Sequence, residues 1–157
     1  MALLALTGCV KVEERSTPAE DAQAVAKVER LSTPPVLPIT PQPITFPDIE
    51  ENNLFGAGCA ALVEGVKDPI FLGSDEQGWL MLEGEIVRLS ADQSSESLPF
   101  AAWSKYIGQE NWLTITRDAE EEQQTGDEVW SAPGEIVIHD FADRVVYRAR
   151  ASIECGA

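Results

Sequence analysis

The side chains able to do chemistry are few, and their spacing narrows what that chemistry is. A single histidine, His139, stands beside Asp140 in a segment that alternates apolar and polar residues. A Ser–His–Asp relay needs a nucleophile raised on a sharp turn, and no such elbow is present. His139 therefore reads as an exposed strand residue, and no catalytic residue is assigned. Asp118, Glu120, Glu121, Glu122, Asp127 and Glu128 offer oxygen ligands for Ca²⁺. They lack the spaced ligands and central glycine of an EF-hand loop, so a solvated loop is expected. One histidine and no closely paired cysteines make no zinc site. No metal and no cofactor are expected. Carboxylate pairs of the kind that cleave glycosides occur in any chain this acidic, and an enzyme with a carboxylate-based site stands as an alternative. Trp79, Trp103, Trp112 and Trp130 can stack on sugar rings or fill a small β core; the core is the commoner use.

Cysteines number three, an odd count. Cys59 and Cys155 bracket the apolar part of the chain, and Cys9 lies near its start. A Cys59–Cys155 bridge would close a loop of about 100 residues and stabilise it by about 4–5 kcal/mol on the chain-entropy argument. Such a bond implies an oxidising compartment. It leaves Cys9 over.

Leu6-Thr7-Gly8-Cys9 resembles the lipobox of bacterial lipoproteins, with leucine three before the cysteine and small residues between. The resemblance implies that the Cys9 thiolate takes a diacylglycerol, becomes the new N-terminus and is acylated again. Several acyl chains, at about 0.8 kcal/mol per buried methylene, hold a protein far more firmly than one. A secretory signal also has a basic start and an apolar run of about 7–15 residues. Here only Met1–Leu6 precedes the box and carries no Lys or Arg, so part of the signal is expected upstream. Val10 rather than aspartate follows the cysteine. By the same resemblance, this points to the periplasmic face of the outer membrane.

The elements that must carry these residues follow. Residues 10–51 read as a tether. Thr17 caps a short helix opened by Pro18 and the acids Glu20 and Asp21, continuing over Ala22–Leu31. Pro34, Pro35, Pro38, Pro41, Pro43 and Pro47 then favour an extended polyproline stretch, reaching about 40 Å at about 3.1 Å per residue. Val36, Ile39, Ile44 and Phe46 are the positions at which this stretch could instead dock as an arm.

Residues 52–157 read as a β domain. In Arg144–Cys155, Val145, Tyr147, Ala149, Ala151, Ile153 and Cys155 share one face and Val146, Arg148, Arg150, Ser152 and Glu154 the other. That period of two marks a half-buried strand. Arg148 and Arg150 face outward, where cross-strand carboxylates are their expected partners. Further strands are expected at Cys59–Val63, Pro69–Leu72, Trp79–Leu82, Glu85–Leu89, Trp112–Arg117 and Glu135–Asp140. Glu83-Gly84 is a two-residue hairpin turn. Pro99–Tyr106 reads as one helical turn or a loop, and Asp118–Glu128 as a mobile loop. The fold class is mainly β, a small antiparallel sandwich or barrel behind an extended Pro-rich N-terminal tether.

No stretch is long and apolar enough to cross a membrane as a helix, although the apolar fraction is 44%. Net charge is −16. Nucleic acid, whose affinity rests on Lys and Arg neutralising phosphates, is excluded as a partner.

The layout also resembles the lipoprotein and periplasmic inhibitors of C-type lysozyme. In that family a Ser-Gly-Ala-Arg-Tyr-like segment follows a hairpin. Here Gly84–Leu89 is followed by Ala102-Trp103-Ser104-Lys105-Tyr106 and then Trp112–Ile115. Lys105 and Tyr106 match in kind; the family's serine and glycine do not. The resemblance implies binding through Lys105 and Tyr106 to a basic envelope protein such as lysozyme, which the acidic charge would suit. The expectation is a membrane-anchored cell-envelope lipoprotein, signal remnant 1–9 and tether 10–51, whose β domain 52–157 is a non-catalytic binding or structural module.

Overall fold

Strand alternation builds the sheet. The computed structural model describes residues 17–32 and 34–157. Cys9, the lipobox and the first part of the tether lie outside the described residues. Two units are distinguished, Met1–Pro35 and Val36–Ala157.

Within the first unit, α1 spans Pro18–Ser32. Its start is a reciprocal cap. The Glu20 amide donates to Thr17 Oγ1, and the Glu20 carboxylate accepts the Thr17 amide at 2.8 Å. Those bonds to Thr17 hold the Glu20 carboxyl below the ordinary range.

The second unit contains α2 (Phe46–Asn52), β1 (Gly58–Val63), β2 (Phe71–Gly73), β3 (Gln77–Leu82), β4 (Glu85–Ala91) and β5 (Lys105–Ile107). After these come β6 (Asn111–Arg117), β7 (Gln123–Gly126), β8 (Val129–Asp140) and β9 (Val145–Gly156). The strand order is β6-β5-β4-β3-β2-β1-β9-β8-β7, and β6 also pairs with β8. That last pairing closes eight antiparallel strands into a barrel, with β7 outside the ring. Of the two expected architectures, the barrel is the one formed. Inward side chains fill it: Phe71, Leu80, Leu89, Tyr106, Leu113, Ile115, Ile136, Ile138 and Ile153 are each at most 2% exposed. This is a packed interior, as a ring of eight strands allows. The β3–β4 turn has positive φ at both Glu83 and Gly84, the mirror-image turn that suits a two-residue hairpin.

Several elements depart from expectation, each for a physical reason. Residues 36–51, expected as tether, belong to the barrel's unit. The Ile39 amide donates to Val146 O, the Gln42 amide to Met81 O and the Ile44 amide to Pro69 O. Ile44 is fully buried beside Leu54 and Met81, whereas Phe46 is 59% exposed. The prolines leave amides between them, and those amides find acceptors on the barrel. Pro47 opens α2, and the Asp48 carboxylate caps it by accepting from the Thr45 amide and hydroxyl. Within Asp118–Glu128, expected as a loop, Gln123–Gly126 is a strand. All four residues are exposed, so backbone pairing with β8 holds it and no burial signal marks it. At the start of β9, Val145 is exposed and Val146 buried, the reverse of strict alternation. A register shift at Ile138/His139 in the partner strand changes the facing there.

Candidate functional site

One end of the barrel carries a disulfide and a groove. There, Cys59 of β1 and Cys155 of β9 face each other in register and form a disulfide. The bond joins the first barrel strand to the last, as the cysteine spacing led us to expect. Beside it lies a groove of about 530 Å³, within the size range of small-ligand sites.

Sheet register builds the groove floor. Glu154 lies opposite Ala60, Ala60 opposite Leu72, and Leu72 opposite Trp79. These four therefore run side by side across β9, β1, β2 and β3 on the outer face. Ala60 is the short member, and the surface dips there. Leu54, Phe55 and Gly56 form one wall; Gly56 has φ +143°, a conformation that a β-carbon would strain. Phe100 and Ala101 line the rim, both with positive φ (56° and 60°). Left-handed backbone costs about 1–2 kcal/mol per L-residue. The Phe100 ring lies 5.5 Å from that of Trp130, so packing holds the strained turn over the barrel end. Asp75 and Glu154 are the side-chain carboxylates among the lining residues, which include no Lys or Arg. The Trp79 indole N–H is buried without an acceptor, at a cost of about 1–3 kcal/mol.

Lys105 and Tyr106 are adjacent on β5 and so point to opposite sides. Tyr106 faces inward, fully buried. Its hydroxyl accepts from the Trp103 amide and donates to Ser74 O at 2.8 Å. Burial pushes its phenol up to about 12. A partner on the folded surface cannot touch it; Tyr106 ties the Ser74 loop to the Trp103 loop. Lys105 faces outward, 3.8 Å from Asp92 and 4.8 Å from the centre of the Trp112 ring. The Ser94 hydroxyl and amide, with Lys105 adding, hold the Asp92 carboxyl below its ordinary range. Contact through Lys105 and Tyr106 together, implied by the lysozyme-inhibitor resemblance, is not available in this fold.

His139 stacks on Trp112 at 4.0 Å with nearly parallel rings, outside the barrel. Asp140 turns away from it. Its carboxylate accepts from Arg144 Nε and from the amides of Ala142 and Arg144, bonds that lower its pKa. Asp140 thus builds the β8–β9 turn and orients no imidazole. Arg148 pairs with Glu135 at 2.9 Å, the outward cross-strand pairing expected of it. Arg117 pairs with Glu122 in the acidic segment. Among the described residues, no group of His, Cys, Asp and Glu is placed to hold a metal ion.

Residue pattern alone does not reveal the groove, because register between strands distant in the chain makes it. The alternation in the last strand puts Glu154 on the outward face but does not say what lies beside it. Comparison with known protein families, with curated proteins and with solved structures finds no match to this chain.

Proposed function

We propose that this protein is a cell-envelope lipoprotein, held by lipid at Cys9, whose barrel is a non-catalytic binding module. The observation that carries the reading is the Cys59–Cys155 disulfide. It uses two of three cysteines inside the folded unit, suits an oxidising compartment and leaves the cysteine of the lipobox-like Leu6–Cys9 for acylation. The filled barrel supports binding on outer surfaces rather than in a central cavity. The acidic charge favours basic partners and disfavours nucleic acid. Val10 after the cysteine supports placement at the outer membrane.

Detergent phase partition of protein made from its natural locus tests the anchor. Wild type is expected in the detergent phase and Cys9→Ala in the aqueous phase. Equal partition of the two would remove the lipoprotein reading.

A further inference from the structure

We propose that the groove beside the disulfide docks an extended, cationic segment of a partner protein, with an apolar side chain over Ala60, Leu72 and Trp79 and Lys or Arg toward Asp75 and Glu154. This rests on the reading of the barrel as a binding module and says where it binds and what chemistry it takes.

Charge selects the occupant. The groove's two side-chain carboxylates belong to Asp75 and Glu154, and neither forms an ion pair. Four carboxylates elsewhere on the barrel are paired, Asp92 with Lys105, Glu122 with Arg117, Asp140 with Arg144 and Glu135 with Arg148. The groove's two acids flank its apolar floor, and the lining holds no Lys or Arg to neutralise them. A second copy of this chain, itself strongly negative, is repelled, as is an anionic headgroup. The floor between the acids is apolar and aromatic, so a bare metal ion or polyamine would leave it uncovered. A peptide carries an apolar side chain for this floor together with cations for the acids, which a simple cation does not. Apolar surface and unpaired carboxylates together fit a basic peptide segment.

The test uses ¹⁵N-labelled full chain carrying Cys9→Ala, titrated with acetyl-Arg-Leu-Arg-Leu-Arg-amide at moderate salt. The account expects saturable shifts of the Ala57, Ala60 and Gly73 amides and the Trp79 indole N–H. The Asp75→Asn/Glu154→Gln double variant should bind at least about tenfold more weakly, from the loss of two charge contacts. Glu135→Gln, away from the groove, should bind as the parent does. Folding of each variant is read from its own spectrum. A peptide with citrulline in place of arginine should not bind. Shifts centred on residues 118–128 would overturn the groove while leaving a binding module. Undiminished binding to the double variant, or no saturable shift, would also overturn it. The anchor stands or falls separately, on partition.

Discussion

Cys59 and Cys155 face each other across β1 and β9, so the bond staples strands already paired. Its main effect is on the unfolded chain, where it closes a loop with a sequence separation of 96. Cys59→Ala/Cys155→Ala should lower unfolding free energy by about 4 kcal/mol, read from urea midpoints. An unchanged midpoint would contradict this. Tyr106 gives a second residue-scale prediction. Its phenol, pushed up to about 12 from an ordinary 10, releases its proton first in the unfolded chain. Stability from this group is therefore whole below pH 10 and lost as pH rises towards 12, a change on the order of 2 kcal/mol. Tyr106→Phe should flatten that slope. Tyr147, also raised by burial, leaves a remaining slope of the same sign. Because the variant strips an acceptor from the Trp103 amide and a donor from Ser74 O, it should cost about 1–3 kcal/mol near neutral pH.

Elements were legible where burial alternates and illegible where backbone bonds alone hold them. The last strand, the Glu83-Gly84 hairpin and the Thr17-capped helix were read from side chains. β7 has no buried residue and exists through pairing with β8. The arm 36–51 is rich in proline, which argues for extension but not for where an extended chain rests. Its docking rests on Ile44, fully buried against Leu54 and Met81. Ile44→Ala should destabilise the unit by about 2–5 kcal/mol; a free tether would lose nothing. The turn Pro99–Ala101 stores backbone strain at the groove rim. Ala101→Gly should stabilise the fold by a few tenths to about 1 kcal/mol, since glycine relieves the left-handed φ but adds entropy to the unfolded chain. Thermal unfolding reads both variants. The groove itself was beyond sequence reading, because Glu154 and Trp79 meet only through the intervening β1 and β2.

At the scale of the whole molecule, nearly all of the −16 charge falls in Val36–Ala157. Such a surface repels itself, so adding moderate salt to a low-salt solution should raise the midpoint of thermal unfolding. The same surface would draw basic segments towards the groove, and the proposed lipid on Cys9 would fix where the barrel works. The anchor is thus the central claim, and Cys9 its single chemical point. The measurement that tests it most directly is the intact mass of the protein extracted from membranes of cells expressing it from its natural locus. The account predicts a chain beginning at Cys9 that carries diacylglycerol and an amide-linked acyl group, and that is two hydrogens lighter for the Cys59–Cys155 bond. A mass with an unmodified Cys9 and the residues before it retained would contradict the account.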